Sequence, residues 1–60
     1  MNTETQSEVN DRFEATIPAD LRDAFKHLTY AEMAEEPACA EWADELRQFE
    51  QDWWNASDAA

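Results

Sequence analysis

Residues 37–54 read Pro37-Ala38-Cys39-Ala40-Glu41-Trp42-Ala43-Asp44-Glu45-Leu46-Arg47-Gln48-Phe49-Glu50-Gln51-Asp52-Trp53-Trp54. Cys39, Trp42, Leu46, Phe49 and Trp53 recur at spacings of 3, 4, 3 and 4, which is the seam of an amphipathic helix. Proline suits a first helical turn, so a helix is expected from Pro37 to about Trp54. Pro37 also disfavours helical geometry at Glu36, which ends whatever precedes it. That preceding element starts at Thr29. Thr29-Tyr30-Ala31-Glu32 is a capping box, and Leu28 with Met33 occupies the staple positions around it.

Working back, Pro18 to Leu28 carries Leu21, Ala24, Phe25 and Leu28 as an apolar stripe at helical spacing. Asp20 in its first turn complements the positive helix end, and Arg22 and Lys26 lie one turn apart on the far side. In Thr3 to Ala15 a capping box is available to Thr3 with Gln6 or to Thr5 with Glu8. Val9, Phe13 and Thr16 then share a face. A strand competes here, because Val9, Phe13, Ala15 and Ile17 also fit alternation, spoiled by Asp11. The expectation is a small all-α single domain of three to four short helices over residues 1–60, in which the N-terminal segment could be a strand instead. Residues 1–6 and 56–60 are expected to fray. The expected core is Val9, Phe13, Ile17, Leu21, Phe25, Leu28, Tyr30 and Met33, together with the seam residues of the last helix.

Composition removes several classes of function. The chain has 60 residues and no glycine, so phosphate-cradling loops, dinucleotide fingerprints and EF-hand turns, which need backbone without a Cβ, are not available. Cys39 is the single cysteine, which allows no internal disulfide and fits a reducing compartment such as the cytoplasm. No run approaches the ~18 apolar residues of a membrane span, and Met1 to Asp11 lacks the basic and apolar regions of a secretory signal. No metal or cofactor is expected. Catalysis is not expected either. Cys39 reads as a small buried hydrophobe, and His27, the single histidine, suits a helix C-terminus.

Charge is the distinguishing feature. Fifteen Asp and Glu stand against four Lys and Arg, for a net charge of −11, while 43% of residues remain hydrophobic. That is too apolar for a disordered acidic tail. Residues 1–30 hold six acids and three bases; residues 31–60 hold nine acids and one base, Arg47. Glu32, Glu35, Glu36, Glu41, Asp44, Glu45 and Asp52 are therefore the candidate partner-binding surface, with Glu41, Glu45 and Asp52 forming a stripe beside the seam. Like charges one turn apart destabilise a helix by a few tenths of a kcal/mol each. Such a surface also serves plain solvation, but the near-absence of lysine favours a basic partner. It disfavours direct binding to nucleic acid or to an anionic membrane. Trp53 falls on the seam and Trp54 about 100° away from it, so Trp54 is either packed under the N-terminal segment or an exposed aromatic anchor.

Glu32, Glu35, Glu36, Glu41, Asp44, Glu45 and Asp52, in a chain this short and acidic, resemble the pattern of the DNA-mimic anti-CRISPR proteins encoded by phages. The resemblance implies a non-enzymatic inhibitor in the bacterial host cytoplasm. It would block target DNA recognition by a type I Cascade surveillance complex at its basic duplex-binding surface. Members of that class share no common fold, so no residue role transfers with the resemblance. Two other classes fit a small acidic chain: an antitoxin-like neutralising partner of a basic toxin, using the aromatic seam and Trp54, and a homo-oligomeric adaptor, a homodimer for instance, joined through the seam.

Overall fold

The computed structural model describes residues 4–59. Four α-helices follow one another, α1 (Gln6–Thr16), α2 (Ala19–Ala24), α3 (Tyr30–Ala34) and α4 (Ala43–Ala59), with a 3₁₀ segment, Pro37–Trp42, leading into α4. There is no strand among the described residues. The all-α expectation holds, and the N-terminal segment is a helix. Thr5 caps it: its hydroxyl accepts from the Glu8 N–H at 3.2 Å, and the Glu8 carboxylate accepts from the Thr5 N–H at 3.2 Å. Met1–Thr3 and Ala60 lie outside the described residues, so the expectation of fraying at 1–6 and 56–60 falls partly there.

α4 supplies the platform. It packs against both α1 and α3, and at about 1.5 Å per residue its 17 residues cover most of the 35 Å long axis. Val9 from α1, Met33 and Ala34 from α3, Cys39 from the 3₁₀ segment, and Leu46 and Phe49 from α4 are buried, with Ile17 closing the end of α1. Phe13, Leu21, Phe25, Leu28, Tyr30, Trp42 and Trp53 pack around them. Tyr30 joins the two flanking helices to α4: its ring lies 5.0 Å from Phe13, 5.9 Å from Phe49 and 6.1 Å from Trp53, centroid to centroid. Edge-to-face pairs of this kind contribute beyond their buried area. The Tyr30 hydroxyl donates to Asn10.

Three expectations are corrected. The helix from Pro18 ends at Ala24, and Phe25 to Leu28 form a turn closed by the Leu28 N–H on the Phe25 carbonyl at 3.0 Å. Phe25 leaves helical geometry at φ −116°, ψ 21°, four residues before Thr29, which the capping box of α3 holds extended at φ −74°, ψ 167°. His27 therefore sits exposed in a turn and not at a helix end. The last helix is not α-helical from Pro37. Its first six residues are 3₁₀, with the Cys39 N–H bonded to the Glu36 carbonyl at 2.9 Å. At three residues per turn, this segment still turns Cys39 fully inward. Thr16, placed on the apolar face of α1 by its spacing, is exposed, and its hydroxyl donates back to the Arg12 carbonyl at 2.8 Å.

Candidate functional site: an acidic surface with few cations

The acids divide according to what holds them. On the α1 side, Arg12 acts as a clamp. Its Nε and Nη2 donate to the two oxygens of Glu4 at 2.7 and 2.8 Å, and Nη2 also donates to Asp52 at 2.6 Å. The guanidinium lies over the Phe49 ring, 5.4 Å from its centroid. Two carboxylates acting on one cation hold the Arg12 pKa above its ordinary value, mainly through the hydrogen bonds from Asp52 and Glu4. Arg22 is similarly engaged. Its Nε donates to the Ile17 carbonyl at 3.0 Å, capping the end of α1, and Nη1 reaches Glu14 at 3.3 Å.

This revises the stripe of Glu41, Glu45 and Asp52. Asp52 is half-buried, held by Arg12 and by the Gln48 amide at 2.9 Å, so it ties α4 to α1 instead of facing a partner. Glu41 belongs to the 3₁₀ segment and Glu45 to α4, so the two do not share one regular α-helical row. Glu45 itself borders the groove between α1 and α4, beside Arg12, Ala15, Thr16, Gln48 and Phe49.

The remaining candidates lie outside the Arg12 clamp. Glu32, Glu35, Glu41, Asp44 and Glu45 are exposed and Glu36 is half-buried. Glu32, Glu35 and Glu36 rim an open groove over Leu28 and Ala31. Among the described residues, the one ion pair in this half that involves them is Arg47 with Asp44 at 3.8 Å. Both partners are solvated, and such pairs contribute little. Glu32 has a second task. Its carboxylate accepts from the Thr29 N–H at 2.9 Å, and this bond, with that of the Thr29 hydroxyl, holds its pKa below the usual range. The cap therefore supports α3 above the ordinary glutamate range and is lost as pH falls through the lowered value.

The resulting charge density can be compared with nucleic acid. Every charged side chain lies between Glu4 and Asp58. Eleven net charges along the 35 Å long axis give one per about 3.2 Å, about half the linear density of duplex DNA, which carries one per ~1.7 Å of axis. The acids project from packed helices, so their backbone is already ordered, while their exposed side chains keep their rotamer freedom.

Trp54 is exposed, at 57% of its surface, and is the one large hydrophobic side chain so exposed among the described residues. Its indole N–H donates to Glu50, and the other Glu50 oxygen accepts from the Ala31 N–H at 3.3 Å. Sequence reading did not single out Glu50, although its place one turn before Trp54 was the available signal. The seam residues Cys39, Leu46 and Phe49 are covered within the chain and offer no free apolar stripe. Cys39 is buried, and burial pushes its thiol pKa up, away from the thiolate that nucleophilic chemistry needs. Among the described residues there is no cluster of His, Cys, Asp or Glu arranged to hold a metal ion, and no helix is long and apolar enough to cross a membrane. Comparison with protein-family models, curated proteins and solved structures gives no match.

Proposed function

We propose that this chain is a non-enzymatic inhibitor that occupies the duplex-binding surface of a basic protein by presenting ordered carboxylates in place of phosphates. The observation that carries this reading is the segregation of charge. Arg12 and Arg22 are tied to carboxylates on the α1 side, while Glu32, Glu35, Glu36, Glu41, Asp44 and Glu45 belong to residues 31–60, whose single cation is Arg47, and of these six Glu45 borders Arg12. A groove lined with Lys and Arg attracts such a surface by the same long-range field that draws in DNA, and releases similar counterions on contact. The resemblance to DNA-mimic anti-CRISPR proteins makes a type I Cascade surveillance complex, in the bacterial cytoplasm, the target of choice. Covering the seam within the chain favours an acid-led contact over one made by the seam, as an adaptor or an antitoxin-like partner would need.

Competition tests this. A purified Cascade complex, titrated with the chain and then with labelled target duplex, is expected to bind one or the other. The apparent affinity for DNA should fall in proportion to added inhibitor, and the inhibition should weaken as salt rises. A ternary complex of chain, Cascade and duplex would contradict the proposal.

A further inference from the structure

We infer that Trp54 and Glu50 form a docking point for an arginine side chain of the basic target, with the guanidinium stacked on the exposed indole. This rests on the reading that the target is basic and names the chemistry of one contact within it. The hydrogen bond to Glu50 steadies the Trp54 ring while leaving 57% of the residue open. An apolar occupant would cover the Glu50 carboxylate without pairing its charge, which is costly. A guanidinium satisfies both features. Its flat face stacks on the aromatic ring, and its N–H groups can reach the lone pairs that Trp54 and Ala31 leave on the Glu50 oxygens, since a carboxylate accepts about four hydrogen bonds. Lysine is a poorer fit, being a strongly hydrated point charge that cannot stack. A second copy of this chain is a poor occupant too. Its Arg12 and Arg22 are engaged by its own carboxylates, its Arg47 stands solvated beside Asp44, and with each copy carrying a charge of −11 the two repel.

Hexaarginine and hexalysine, equal in charge, separate this contact from general attraction to acids. Trp54→Ala is expected to weaken hexaarginine binding by about threefold, the scale of one exposed cation–π contact, and to leave hexalysine affinity unchanged. In the unaltered protein, hexaarginine should shift the Trp54 indole N–H resonance more than those of Trp42 and Trp53. Unchanged hexaarginine affinity in Trp54→Ala, or equal weakening of both peptides, would overturn the inference while leaving the acidic-surface reading intact. If neither peptide binds the unaltered protein in a salt-dependent manner, the inference and the basic-partner reading are both overturned.

Discussion

Reversing Glu35, Glu41 and Glu45 to lysine is expected to abolish inhibition while leaving the helical spectrum and the melting temperature intact. All three side chains are exposed, and none takes part in an ion pair among the described residues. Their reversal breaks no ion pair, and the relief of repulsion among neighbouring carboxylates offsets the cation that Glu45→Lys places in the first turn of α4. The net charge moves from −11 to about −5, and three attractive contacts with a basic surface become repulsive. Like-charge contacts of this kind cost several kcal/mol across an interface, so the loss should be at least ~100-fold in affinity. Asp52 is left alone because a lysine there would face Arg12 and damage the fold. Titration calorimetry against Cascade, with far-UV circular dichroism as the control, checks this. A correctly folded triple variant that binds as tightly as the parent would rule out the acidic face as the contact.

Leu46→Ala is the substitution with the largest expected effect on the fold. Leu46 is fully buried in the first turn of α4 and belongs to the same core cluster as Val9, Met33, Cys39 and Phe49. Truncations of this type cost about 2–5 kcal/mol, whereas the core of a domain this small rarely supplies more than about 3–5 kcal/mol. The variant should be largely unfolded at 37 °C, with the helical signal lost and inhibition lost with it. Even at the low end of that range the melting temperature should drop by about 10 °C. A shift of only a degree or two would mean that Leu46 does not sit in the packed core described above.

The sequence was most legible where local rules decide the outcome. The capping box at Thr29 and the seam through Leu46, Phe49 and Trp53 each follow from neighbours within two turns, and the structure places them as expected; of the two boxes open at the N-terminus it forms that of Thr5 with Glu8. The 3₁₀ start of the last helix was not foreseen, because the spacing of Cys39 and Trp42 suits a single turn of 3₁₀ as well as of α-helix. Ala34 and Ala56 are buried, yet alanine carries too little apolar signal to mark a core face. The candidate site was legible as composition but not as geometry. Asp52 looked equivalent to Glu45 along the helix, and what distinguishes them is Arg12, forty positions away from Asp52 in sequence. Such a clamp depends on how α1 lies across α4, which no local pattern specifies.

Carboxylate footprinting of the complex tests the central claim most directly. The chain is labelled with a carbodiimide and an amine, free and bound to Cascade, and each acid is quantified by mass spectrometry. Glu32, Glu35, Glu36, Glu41, Asp44 and Glu45 should label readily in the free chain and be protected in the complex, while Glu4 and Asp52, already held by Arg12, should change little. Unaltered labelling of those six acids in a complex that still inhibits would contradict the account.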